Sequence, residues 1–261
     1  MRFDSVFLDC DGVVTDEHAR VDLRVLGEVG RLVRSGCKAA FVTGRSLSWI
    51  DGNVSRNLFV GLKPEEMARI ALVGEYGARW AGFPGGARVE GIDADKAVPA
   101  AAVESVRRIA SRFPLLFFDE TKETNCDLEV NHALVASGAE YAEAQRQLDD
   151  AARLLSLEFP ELSIRRTTYA ADVLAKGVDK RYATARALSL LGGAENAAVV
   201  GDTSADLGMG EELLGRGIAF AFYFVGREGL PDAGFPVKRT RESFAKGTLE
   251  VLKSAGLAKG D

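Results

Sequence analysis

Two carboxylates one residue apart, Asp9 and Asp11, stand in the stretch Asp9-Cys10-Asp11-Gly12-Val13-Val14-Thr15-Asp16, directly after the apolar run Val6-Phe7-Leu8. In such a pair one carboxylate can act as a nucleophile while its neighbour handles protons. The same oxygens suit a hard dication, since Mg²⁺ takes one or two carboxylates together with substrate phosphate. Asp-x-Asp-Gly alone also suits a solvated turn, so the reading depends on what else gathers with it.

Three further clusters have related chemistry. Thr43-Gly44-Arg45-Ser46 follows a second apolar run, 39–42. A hydroxyl and backbone N–H groups between a strand and a helix N-terminus suit a phosphate oxygen, although Thr43 taken by itself reads first as a simple N-cap. Lys176-Gly177-Val178-Asp179-Lys180 opens a helical pattern; a lysine placed there beside a phosphate neutralises charge on the transferring group. Gly201-Asp202-Thr203-Ser204-Ala205-Asp206 again sets acids after a buried run, 197–200. Asp202 suits a metal site, and Asp206 also reads as an acid at a helix N-terminus.

The elements that must position these residues follow from periodicity. Residues 6–8, 39–42, 70–73, 197–200 and 218–225 read as core strands, and 235–237 as a short edge strand. Helical spacing covers 23–33, 47–58, 179–191 and 241–254, with Gly36 as a C-terminal stop. Strands alternating with helices predict an α/β fold with a parallel sheet covered on both faces. Asp9, Thr43 and Asp202 then fall at or just past the C-terminal ends of strands, the edge where open α/β sheets bind ligands. The middle of the chain has a different texture. Helices at about 103–109 and 139–155 and strands at 115–119, 127–131 and 163–168 predict an inserted α+β unit. The expected division is a core of residues 1–82 and 172–261 with an insertion at 83–171.

Taken in order, Asp9-Cys10-Asp11-Gly12-Val13, the apolar run ending in Thr43-Gly44-Arg45, Lys180 and Gly201-Asp202-Thr203-Ser204-Ala205-Asp206 resemble the motifs of the haloacid dehalogenase (HAD) superfamily. The resemblance spans most of the chain and implies a Rossmann-like core. It implies that Asp9 attacks phosphorus to form an aspartyl-phosphate. Asp11 would protonate the leaving group and then activate water, while Thr43, Gly44 and Lys180 hold the phosphoryl oxygens. Mg²⁺ would be held by Asp9, Asp11 through its carbonyl, and Asp202, with Asp206 supporting the metal or Lys180. The insertion resembles the type IIB cap of phosphoglycolate and sugar-phosphate phosphatases, and Gly74-Glu75-Tyr76-Gly77-Ala78 resembles that subgroup's loop after the third strand. Two positions depart from the pattern: Ala205 stands where an Asn is common, and Tyr76 replaces the usual Asn.

The expected activity is hydrolysis of a small phosphorylated metabolite, such as a sugar phosphate or phosphoglycolate. The nucleophile is expected to be ionised at neutral pH, because an ordinary Asp titrates near 3.9. Arg45, Glu75, Glu129, Asn131 and Arg165 are candidate substrate contacts, with His132 and Arg166 beside them. Along 127–131, however, polar and apolar residues alternate as in any half-buried strand. A phosphomutase, which returns the phosphate to sugar, and a non-catalytic phosphometabolite-binding protein are the alternatives.

Composition narrows the partners. The chain has 261 residues and a net charge of −5. An acidic balance argues against nucleic acid and anionic membrane as partners. No apolar run reaches the roughly 20 residues of a membrane span. Residues 1–5 are not expected to be a leader. Cys10, Cys37 and Cys126 form no disulfide or metal pattern, and His18 and His132 are the only histidines. Reduced thiols and a cytoplasmic location are therefore expected. No sequence feature specifies an oligomeric state.

Overall fold

The computed structural model describes residues 3–255; Met1 and Arg2 of the N-terminal reading, and residues 256–261, lie outside the described residues. In chain order the elements are β1 Ser5–Leu8, α1 Leu23–Arg34, β2 Lys38–Val42, α2 Leu47–Ile50, α3 Arg56–Leu58, α4 Pro64–Met67, β3 Ile70–Gly74, β4 Arg79–Gly82 and β5 Val89–Ile92. There follow α5 Ala100–Ala110, β6 Leu116–Phe118, β7 Cys126–Val130, α6 Gly138–Glu158, β8 Ser163–Arg166 and β9 Ala170–Leu174. The chain ends with α7 Lys180–Leu191, β10 Asn196–Gly201, α8 Leu207–Gly215, β11 Ala219–Phe224, β12 Val237–Arg239 and α9 Phe244–Ala255. Two compact units result: Met1–Gly91 with Asp179–Asp261, and Ile92–Val178.

The first unit is built on an eight-stranded sheet of order β12-β11-β10-β1-β2-β3-β4-β5. From β12 to β3 all neighbours are parallel, and β4 returns antiparallel beside β3. The apolar runs are continuous because both sheet faces are covered. Val6, Leu8, Phe41, Leu72 and Val200 pack with α1 and α9 on one face. Phe7, Val42, Val73, Val199 and Phe222 pack with α7 and α8 on the other. The chain leaves β1 towards β2 on one side and returns through β10 on the other, so β1 lies at a topological switch point.

The second unit is a four-stranded sheet, β6-β7-β9-β8, antiparallel throughout. Cys126, Leu128, Val130, Ala171 and Val173 pack with α5 and α6 into its core. Strand alternation sends Asp127, Glu129, Arg165 and Asp172 to the opposite face.

Three details differ from the expected elements. The helix over 47–58 is interrupted by a π turn at Asp51–Ser55. The edge strand begins at Val237, not 235, because Pro236 has no N–H for the ladder. Strands β4, β5 and β9 and helices α4 and α8 are additional to the expected set.

Candidate active site

Asp9 follows β1 directly and continues its ladder, its N–H donating to the Val200 carbonyl at 3.2 Å. Its Oδ1 accepts from the Cys10 N–H at 2.7 Å and pairs with Lys180 Nζ at 2.7 Å. Its Oδ2 accepts no hydrogen bond among the described residues. Lys180 is the first residue of α7, whose N-cap Asp179 accepts from the N–H groups of Arg181 and Tyr182. This lysine is buried, and it reaches Asp206 Oδ1 at 2.8 Å and donates to the Val42 carbonyl at 2.8 Å. Three oxygens thus surround one ammonium. Gly208 allows the approach, since a β-carbon there would lie 3.1 Å from Lys180 Cβ.

Asp206 is fully buried. Its Oδ2 accepts from the Asp202 N–H, the Thr203 N–H and the Thr203 hydroxyl, each at 3.0 Å. Burial pushes this carboxyl up, but Lys180 and the Thr203 donors outweigh it and hold it below the ordinary value. Asp206 therefore positions Lys180 and the loop after β10. Asp202 has the opposite balance. Its carboxylate accepts no hydrogen bond among the described residues, and burial, then Asp206 and Asp9, push it well above the ordinary range.

Asp9 is pushed from 3.8 to about 7, first by burial and then by Asp206 and Asp11, with Lys180 opposing. The ordinary Asp value applies in water, and two carboxylate neighbours in a buried site raise it. For Lys180, burial favours the neutral amine, but Asp206 and Asp9 more than compensate and keep it charged.

A glycine frame holds this cluster close. Gly12 has φ +66°, and a β-carbon on it would sit 2.1 Å from Asp202 Oδ2. A β-carbon on Gly201 would fall 2.3 Å from Asp206 Cβ, and one on Gly226 would fall 2.0 Å from the Asp202 carbonyl oxygen. Carboxylate oxygens of Asp9, Asp202 and Asp206 lie within 4.8 Å of one another. Among the described residues, Asp9, Asp11, Asp202 and Asp206 pair only with Lys180 and Arg45 as cations. With all four acids ionised, the charge left over is that of one divalent cation. The donors are hard oxygens, and Asp202 lacks a donor of its own. These residues therefore fit Mg²⁺.

Arg45 clasps Asp11 with two bonds, Nε to Oδ2 at 2.8 Å and Nη2 to Oδ1 at 3.1 Å. Its guanidinium also lies 5.5 Å from the Trp49 ring centroid. Thr43 is buried at the end of β2, where its Oγ1 accepts from the Arg45 N–H at 3.2 Å. The Gly44 N–H donates to no group among the described residues. Glu75 is buried in the turn after β3, and its N–H donates to the Arg45 carbonyl at 2.9 Å.

Several candidates of the second unit have local partners of their own among the described residues. Arg166 is tied to α6 through Asp149 and Gln145. Asn131 closes its own turn by accepting from the Ala133 N–H, and His132 stacks at 5.6 Å against Tyr169. Arg165 stands opposite Asp172 in the β8–β9 register, and Glu129 opposite Phe117 and Ala170. The buried charge centre of this unit is Lys122, paired with Asp127 and, at 3.6 Å, with Asp172. Sequence reasoning missed this lysine, which sits in a polar run after β6 with no periodic signal. In the first unit it also missed the Arg45–Asp11 clasp and the glycine frame. A cavity of about 540 Å³ lined by Asp16, Arg20, Arg227 and Phe244 among others does not include Asp9, Thr43, Lys180 or Asp202.

No family model matches the chain, and no curated protein matches it. Solved structures do. A haloacid dehalogenase-like hydrolase from Bacteroides thetaiotaomicron is similar with a TM-score of 0.67 at 14% identity, covering 97% of this chain and 99% of that one. The C-terminal domain of a C. albicans trehalose-6-phosphate phosphatase gives 0.66 at 15% identity, over 97% and 92%. A C-terminally truncated Plasmodium falciparum IMP-nucleotidase gives 0.58 at 12%, over 97% and 71%. At these identities the likeness establishes the fold: the chain has the haloacid dehalogenase-like fold.

Proposed function

We propose that this chain is a Mg²⁺-dependent phosphatase that hydrolyses a small phosphorylated metabolite through an aspartyl-phosphate on Asp9. The observation carrying the reading is the arrangement at the switch point. Asp9 keeps one oxygen free of donors, its other oxygen is held by Lys180, and Asp202 stands without a donor across Gly12. A binding protein does not need a nucleophile oriented in this way. Structural neighbours named as a hydrolase, a phosphatase and a nucleotidase support the same reading.

Asp9 Oδ2 attacks phosphorus in line, forming the Oδ2–phosphorus bond of an acyl phosphate as the bond to the leaving oxygen breaks. Lys180, the Thr43 hydroxyl and the Gly44 N–H would receive the phosphoryl oxygens, since phosphoryl transfer depends chiefly on positioning and charge neutralisation. Asp11 delivers the proton to the leaving oxygen. Both of its oxygens are clasped by Arg45, so proton delivery requires Arg45 to release it. A phosphate group is the natural competitor for a guanidinium fork. Asp11 then takes a proton from water, whose oxygen attacks phosphorus and frees Asp9. Asp9, Asp202 and the Asp11 carbonyl would hold Mg²⁺, which when bound supplies positive charge against anionic repulsion. The second unit is assigned the role of cap, selecting the leaving group.

The test is phosphate release from a panel of sugar phosphates, phosphoglycolate and nucleoside monophosphates, with Mg²⁺ and with chelator, for wild type and Asp9→Asn. Release that needs Mg²⁺ and disappears in the variant is expected. A folded wild type that releases nothing from the whole panel, yet isomerises or merely binds a member of it, would overturn the hydrolase reading.

A further inference from the structure

We infer that Tyr76 is a positioning residue that holds the phosphate-receiving turn Thr43-Gly44-Arg45 at its working distance from the Lys180 helix. The inference rests on the phosphatase reading above.

Glu75 and Tyr76 both adopt left-handed backbone, with φ of 49° and 54°. Consecutive non-glycine residues in that region are strained, and they persist only where the surroundings over-determine them. Two groups of contacts do so. The Tyr76 N–H donates to the Thr43 carbonyl at 3.0 Å and the Glu75 N–H to the Arg45 carbonyl at 2.9 Å. Both carbonyls flanking Gly44 are thereby turned towards the loop after β3. Because a trans peptide points its N–H opposite to its carbonyl, the Gly44 N–H is directed away from that loop, towards the β1 side of β2, where Asp9 lies.

The Tyr76 side chain completes the device. A β-carbon on Gly44 would lie 2.6 Å from Tyr76 Cζ and 2.7 Å from its hydroxyl oxygen, so the phenol end of the ring rests on the Gly44 backbone. Tyr76 is buried there. On the other side, Gly77, with φ +103°, abuts α7: a β-carbon on it would sit 2.7 Å from Ala183 Cα and 2.8 Å from Tyr182 Cδ1. One three-residue turn is thus wedged between the turn that offers Thr43 and Gly44 and the helix that begins with Lys180. The ring fills the gap on the first side, and close backbone contact fixes the second.

The test uses full-length protein with Mg²⁺, the best substrate of the panel, and inorganic phosphate as the probe. Tyr76→Asn removes the ring but tolerates left-handed φ, so the chain keeps its fold. It is expected to weaken inorganic phosphate binding, measured by calorimetry, and to raise KM at least about tenfold, as a slack phosphate turn would. Tyr76→Phe, which keeps the ring, is expected to recover affinity to within about threefold of wild type, a rescue that separates positioning from general damage. Gly44→Ala provides the second arm. In wild type its β-carbon collides with the ring, and a loss of about 100-fold in kcat/KM is expected; in the Tyr76→Asn background the space is open and the same change should lose less than about tenfold. Equal losses in both backgrounds, or unchanged phosphate affinity in Tyr76→Asn, would overturn the inference while leaving the phosphatase reading standing. A wild type that neither hydrolyses the panel nor binds inorganic phosphate would overturn both.

Discussion

Replacing Asp9 by Asn should make the metal-free protein more stable at neutral pH, and the gain should depend on pH in a defined way. In the folded chain Asp9 is pushed from 3.8 to about 7. The folded state therefore binds this proton more tightly than the unfolded state. Its stabilising contribution is full below pH 3.8, declines as pH rises, and is gone above about 7. About three pH units at ~1.4 kcal/mol each place ~4 kcal/mol of strain on the ionised site above pH 7. Between pH 5 and 7 alone the change is ~2 kcal/mol. Asn cannot ionise, so it removes this dependence. Its amide oxygen can still accept from Lys180, which lies 2.7 Å from Asp9 Oδ1, and the shift already contains what the ionised carboxylate gains from that lysine. The variant should then exceed wild type by ~2 kcal/mol near pH 5 and by ~4 kcal/mol at pH 8. Both tryptophans, Trp49 and Trp80, lie in the first unit with Asp9. Urea unfolding followed by tryptophan fluorescence in chelator at pH 5, 6, 7 and 8 therefore reports on the correct unit. Wild-type and variant stabilities that run parallel across this range would refute the burial argument. Added Mg²⁺ should reverse the ranking at pH 8, because the ion stabilises the wild type by mass action and has lost a carboxylate ligand in the variant.

Three other outcomes are expected. Gly12→Ala forces a side chain into φ +66° and 2.1 Å from Asp202 Oδ2, so kcat/KM should fall by ~100-fold with the far-UV circular dichroism retained; activity within threefold of wild type would show that the glycine frame is not required. Lys122→Met removes the ammonium paired with the buried Asp127 and Asp172. It should destabilise the second unit by ~3 kcal/mol, read as lost hydrogen-exchange protection in β7 and β9. Burial already pushes Asp127 well up, so the loss should shrink as pH falls. All three thiols are buried, and burial pushes Cys37 and Cys126 up to about 12 and Cys10 well above the ordinary range. A thiol reagent at pH 8 should find no fast-reacting group in the native chain, and three after denaturation.

The central strands were legible because a parallel strand covered on both faces is apolar at every position. Phe7 and Leu8 point to different cores, and neither can be polar. Strand β9 was not legible for the converse reason. Ala-Ala-Asp-Val-Leu matches neither a continuous apolar run nor a clean alternation, and its buried Asp172 is reached by Lys122 from another segment. No window of sequence contains both partners. The Arg45–Asp11 clasp was hidden in the same way. A guanidinium on a long side chain can reach any of several carboxylates at the sheet edge, and the loop path decides which.

The residues the site uses are those whose local placement is unfavourable. Lys180 sits, buried, at the positive end of a helix, where an isolated lysine loses both hydration and dipole stabilisation. Only the oxygens of Asp9, Asp206 and Val42 reverse that balance. Asp202 is enclosed without a donor, burial pushes Asp9 up to about 7, and Gly12 and Tyr76 occupy left-handed backbone. Each breaks a local rule that the surrounding sheet and helices obey, and all of them belong to the first unit, at or beside the end of β1, β2, β3 or β10 or at the start of α7. Such departures are expected where function opposes stability. Their spacing in sequence shows where the strands end. Their cost becomes visible only when the strands are assembled, because it arises from four carboxylates brought to one edge with two cations to balance them.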